Sequence, residues 1–91
     1  MKLKAKVDEN QAEIVAFLRS KGATVFCSHQ IGKGFPDLVV GYKGKNLLIE
    51  VKNKNAKGKL TPKEKEFLSF WKGKIHVISS IEETEKLLAS I

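Results

Sequence analysis

Apolar residues recur at helical spacing near the start of the chain, where Val7, Ile14, Val15, Phe17 and Leu18 fall on one side of a helix. Asp8 is a suitable N-cap, Gln11 completes an aspartate version of the capping box, and Gly22 is a natural stop. A first helix is therefore predicted over about residues 8–21. Thr24 to Ser28, rich in β-branched and aromatic residues, reads as a strand, and the glycines and proline between His29 and Pro36 read as a loop. Two more strands, Leu38 to Tyr42 and Asn46 to Lys52, flank a Lys43-Gly44-Lys45 turn. A polar, lysine-rich loop runs from Asn53 to Leu60. Thr61-Pro62-Lys63-Glu64 then combines a cap, a proline at the first helical position and a glutamate at the third. That helix runs to about Trp71, with Phe67, Leu68, Phe70 and Trp71 on its apolar side, and Gly73 ends it; Phe70 and Trp71 read as core or as part of a dimer surface. Ile75 to Ile78 is a fourth strand, and Ser80 with Glu83 opens a last helix carrying Ile81, Leu87 and Leu88 inward. The order α-β-β-β-α-β-α predicts an α/β fold, a mixed four-stranded sheet flanked by helices.

Composition sharpens this picture. Ninety-one residues, 42% of them apolar, predict one packed domain over residues 1–91. No run approaches the roughly 18 apolar residues that span a bilayer, so no membrane partner is expected. The start, Met1 to Lys6, is basic without the apolar stretch of a signal peptide, and the single Cys27 excludes an internal disulfide. Both features point to the cytoplasm. Within Val25-Phe26-Cys27 the cysteine reads as a buried small hydrophobe.

The net charge is +7, and sixteen of the seventeen basic residues are lysine, Arg19 being the exception. Lysine is a point charge suited to phosphate, whereas arginine is the usual bidentate reader of guanine edges. The balance suits a binder of nucleic-acid backbone with little base reading. Lys33, Lys54, Lys57, Lys59 and Lys63 cluster in the two loops beside the hairpin and are the candidate phosphate track; solvation of a loop is the alternative role for them.

The chemistry concentrates at the mouth of that hairpin. Glu50 and Lys52 share one strand face, and Ile49 and Val51 occupy the other. A two- or four-residue turn around Gly44 and Lys45 sets Asp37 opposite Lys52 and Val39 opposite Glu50, so Asp37, Glu50 and Lys52 fall on one face. A shift of register by one residue would break the convergence. Close carboxylates repel, and a divalent cation relieves that repulsion better than one lysine. Magnesium takes oxygen ligands, keeps several waters and suits such a pair together with substrate phosphate. These residue types in this pattern point to metal-assisted phosphodiester hydrolysis. Chance Glu-x-Lys on a half-exposed hairpin is the alternative reading. His29 and His76 have no second ligand at suitable spacing.

Gly34-Phe35-Pro36-Asp37-Leu38 and Leu48-Ile49-Glu50-Val51-Lys52 resemble the two signature strands of the PD-(D/E)XK nucleases. Gly58-Lys59-Leu60-Thr61-Pro62 matches the Gly-x-Leu-(Ser/Thr)-Pro pattern of one branch, the VRR-Nuc (virus-type replication-repair nuclease) family. The resemblance implies Asp37 and Glu50 as metal ligands with the Val51 carbonyl as a third, and Lys52 as the catalytic lysine. It also implies a glutamate from the first helix; Glu13, bordering the apolar stripe, is the candidate and Glu9 its rival. Family members usually carry glutamine where Glu64 stands here. A magnesium- or manganese-dependent endonuclease acting on structured or branched DNA as a homodimer is the implied function, with phage origin a family-level expectation. The alternatives are a Holliday-junction resolvase proper and a non-catalytic nucleic-acid-binding module.

Overall fold

The computed structural model describes residues 10–53 and 59–91. Helix α1 (Gln11–Ser20) leads into strand β1 (Thr24–Cys27), a single 3-10 turn (His29–Ile31), and strands β2 (Leu38–Tyr42) and β3 (Lys45–Val51). Helix α2 (Pro62–Phe70), strand β4 (Ile75–Ile78) and helix α3 (Ile81–Ala89) complete the order expected from the sequence. The sheet runs β1-β2-β3-β4, antiparallel except for the parallel β3–β4 pair that α2 connects.

Alternation along the strands divides the sheet into two faces. Leu38, Val40, Ile49 and Val51 point to the first face and are fully buried against Ile14 and Leu18 of α1 and Leu88 of α3. Burying a side chain of this size contributes about 1.5–3 kcal/mol, so this face supplies most of the core. Helix α2 lies over the second face, where Glu64, Phe67 and Leu68 approach Glu50 and Ile75. Among the described residues no helix is long and apolar enough to cross a membrane.

Local chemistry explains the helix starts. Thr61 and Glu64 form a reciprocal capping box with Pro62 at the first helical position. The Ser80 hydroxyl accepts from the Glu83 amide at 3.0 Å. The first helix begins later than expected: its N-cap is Asn10, and Asp8, Glu9 and Val7 lie outside the described residues. Trp71, not Gly73, is the C-cap of α2.

The hairpin corrects the expected register. Tyr42 pairs with Lys45 and Leu38 with Ile49, so the turn is Lys43-Gly44 instead of Gly44-Lys45. Both turn residues have positive φ, 50° and 79°, the pattern whose twist matches the flanking strands. The slip amounts to two residues and so leaves every side chain on its expected face. One step past the last pair, Asp37 faces Glu50, not Lys52. Cys27 is also corrected: it is exposed, at the end of edge strand β1.

Candidate active site

The Pro36–Asp37 segment is pinned from β1. Ser28, itself buried, donates through its amide to the Asp37 carbonyl at 2.7 Å and through its hydroxyl to the Pro36 carbonyl at 2.8 Å. Asp37 Oδ2 then accepts from the Val51 amide at 2.9 Å, which ties the side chain to β3. The backbone of Lys52 is held from both sides. Its amide donates to the Ile78 carbonyl at 2.9 Å, and its carbonyl accepts from Asn10 Nδ2 at 3.2 Å. Asn10 Nδ2 also donates to the Ser79 carbonyl at 2.7 Å, so α1, β3 and β4 meet at the lysine.

On this scaffold the structure brings Asp37, Glu50 and Lys52 together on the second sheet face. Glu50 is 4% exposed and Lys52 8%. Lys52 Nζ lies 3.5 Å from Glu50 Oε2 and 2.8 Å from Glu64 Oε1. That same Glu64 oxygen accepts from the Thr61 amide at 2.8 Å, so the capping residue of α2 doubles as a partner of Lys52. The sequence assigned Glu64 only its capping role, because a contact between α2 and β3 is invisible to local pattern. Ser28 and Asn10 were missed for the same reason.

Three carboxylates near one ammonium cannot all remain ionised in a dry site. Burial pushes Glu50 up to about 9, helped by its hydrogen bond with Glu64 and by repulsion from Asp37 and Glu64, with Lys52 opposing. Asp37 is also raised, again by burial first, although hydrogen bonds from the Val51 amide and Glu50 pull against it. Burial would raise Glu64 too, but its bonds with Glu50, Lys52 and the Thr61 amide outweigh this and hold it below the usual carboxylate value. Burial thus disfavours the ionised form of Glu50 most strongly of the three.

The donor set fits a hard divalent cation. Glu50 and Asp37 are within hydrogen-bonding reach of each other, and both are carboxylates whose charge burial disfavours. A cation that binds through one or two carboxylates and retains waters meets that need. Among the described residues no group of three or more His, Cys, Asp or Glu side chains is placed to hold a metal ion, so a cation here would rest on this pair and on other oxygens. Glu13 does not join the pair: it is exposed on α1, whose neighbouring Ile14 packs into the opposite, apolar face.

Beside the pair opens a cleft of about 490 Å³ lined by His29, Phe35, Asp37, Pro62, Lys63 and Glu64 among others. Of the candidate phosphate track, Lys63 borders this cleft, while Lys33 and Lys59 are exposed. Lys54 and Lys57 lie outside the described residues. The loop carrying Lys33 is pressed onto α2. Gly34, at φ 81°, comes so near that a β-carbon there would collide with the Lys63 carbonyl oxygen. His29 also borders the cleft, with its Nδ1 buried and unpaired, a placement the sequence did not signal.

A family model of the VRR-NUC domain matches residues 2–78. The chain belongs to the VRR-NUC family. The match spans α1 through β4 and so includes every element that positions Asp37, Glu50 and Lys52. Membership indicates a nuclease of the PD-(D/E)XK type, with DNA as the implied substrate. No curated protein and no solved structure matched the chain.

Proposed function

We propose that this VRR-NUC chain is a magnesium- or manganese-dependent endonuclease that hydrolyses DNA phosphodiester bonds, with all 91 residues acting as one nuclease domain. The observation that carries this reading is the mouth of the β2–β3 hairpin, where two carboxylates and an ammonium share one buried corner. Asp37, Glu50 and the Val51 carbonyl are the proposed metal ligands. When bound, the ion supplies Lewis acidity and lowers the pKa of a bound water. Asp37 is oriented for its part by the Val51 amide, and Glu50 would serve as a ligand in its ionised form, its proton having passed to solvent. Lys52, fixed through its backbone, donates to a phosphate oxygen as charge develops there. Lys33, Lys59 and Lys63, with Lys54 and Lys57, guide the backbone toward the cleft.

A chain of this size offers little surface for gripping a duplex, which supports a homodimer with paired sites on structured or branched DNA. The 2.8 Å Lys52–Glu64 pair favours a second reading, a non-catalytic binding module whose lysine is already engaged. Labelled duplex, flap and four-way-junction DNAs, incubated with magnesium, manganese or chelator, separate these readings. Metal-dependent cutting by the wild type and none by Asp37→Ala supports the nuclease. Paired symmetrical incisions confined to the junction select a resolvase proper. Salt-dependent binding without cutting in either metal selects the binding module.

A further inference from the structure

The end of α2 gathers an aromatic cluster that lies outside the main apolar cluster packed under α1 and α3. Phe67 is buried, and three rings gather on it: Phe35 edge-on at 5.5 Å, Phe70 tilted at 5.1 Å and Trp71 stacked at 5.2 Å with 20° between planes. The sequence placed Phe70 and Trp71 in the core or on a dimer surface. The structure leaves Phe70 56% and Trp71 39% exposed. The cluster is continuous with the candidate active site, because Phe35 lines the same cleft as Asp37. Lys72 follows Trp71 directly and Lys74 lies two residues beyond Lys72, and both are exposed.

Exposed rings flanked by lysines, beginning at a phosphodiesterase cleft, match what an unpaired strand requires. Its bases offer open π faces and its backbone offers charge, whereas duplex bases are already stacked on one another. We propose that Phe70 and Trp71 form a stacking platform for unpaired nucleotides of the substrate, leading to or from the cleft at Asp37. This rests on the nuclease reading and narrows its substrate to DNA in which a single strand leaves a duplex. Phe67 is the buried base of the platform, Phe35 its end at the cleft, and Lys72 and Lys74 its phosphate contacts.

Trp71 is the only tryptophan in the chain, so its emission reports directly on the platform. The experiment uses the Asp37→Ala protein in chelator, which separates binding from cutting. Oligothymidylate and a blunt duplex, each dye-labelled, are titrated while tryptophan emission and dye anisotropy are followed together. The expected result is saturable quenching of Trp71 by the single strand. Phe70→Ala should weaken single-strand affinity about tenfold, within the range for loss of one stacked base, and leave duplex affinity within about twofold. Trp71→Phe should retain single-strand affinity and Trp71→Ala should lose it, with circular dichroism confirming that each variant is folded. Single-strand binding by anisotropy without quenching overturns the platform and leaves the nuclease reading standing. Equal weakening of strand and duplex by Phe70→Ala overturns it likewise. Emission that changes with protein concentration in the absence of DNA, together with a dimer in sedimentation, assigns the rings to a second copy and also overturns it. Absence of binding to either DNA overturns the nuclease reading and the platform together.

Discussion

On one face of the β2–β3 hairpin, Leu38, Val40, Ile49 and Val51 are sealed from water by α1 and α3; on the other, Glu50 and Lys52 are nearly as dry beneath α2. The two faces share a backbone and a register, yet burial acts on them with opposite sign. Removing methylenes from water stabilises the first face. Removing charges from water costs stability on the second, and the ion pairs with Lys52 only partly offset that cost. One face holds the fold together, and the other stores electrostatic tension that a reaction can use.

The comparison breaks most visibly when each face is cut in turn. Asp37→Ala should lower metal-dependent cleavage by at least about 10³-fold, roughly 4 kcal/mol of barrier, while leaving the thermal midpoint unchanged or higher. Single-turnover assays with a parallel melt check both halves. Ile49→Ala, next to Glu50 in the chain but on the apolar face, should do the reverse. It should cost about 2–5 kcal/mol of stability by urea titration, with cleavage per folded molecule retained.

Glu50→Gln sharpens the contrast through pH. The folded chain holds the Glu50 proton up to about pH 9, whereas the unfolded chain releases it near 4.5. The stabilisation from this group is therefore complete below pH 4.5 and is lost as pH rises toward 9. The raised Asp37 adds a loss of the same sign. Metal-free Glu50→Gln should be more stable than wild type at pH 8, by about 1–2 kcal/mol, with the gap closing at pH 5. Melts at the two pH values decide this. The smallest effect belongs to the helix over the charged face. Thr61→Ala should cost about 1 kcal/mol through loss of the hydroxyl that accepts from the Glu64 amide, with a modest fall in activity because the first turn carrying Glu64 is then held less firmly.

Much of this was legible in the sequence because it depends on parity and local pattern. The alternation around Glu50 set Asp37, Glu50 and Lys52 on one face, and the two-residue error in register left that placement intact. The turn itself was misplaced because Lys43 takes a positive φ, which lysine rarely does and the pattern therefore did not suggest. Residues whose bonds span the chain escaped notice. Asn10 reaches Ser79 across 69 positions, and Glu64 meets Lys52 only once α2 has folded back over β3. Glu13 looked suitable on a helical wheel, but a wheel does not reveal which side of the sheet its helix will cover.

The parallel β3–β4 pair has a consequence for the order in which the protein comes into being. Lys52 is held through the Ile78 carbonyl, and Asn10 is anchored through that of Ser79. A nascent chain that has not yet emerged past residue 78 carries Asp37, Glu50 and Lys52 but lacks the strand that aligns them. The corner is thus aligned only after β4 has followed these residues out, and a product truncated before β4, though it carries all three side chains, lacks the frame that sets them.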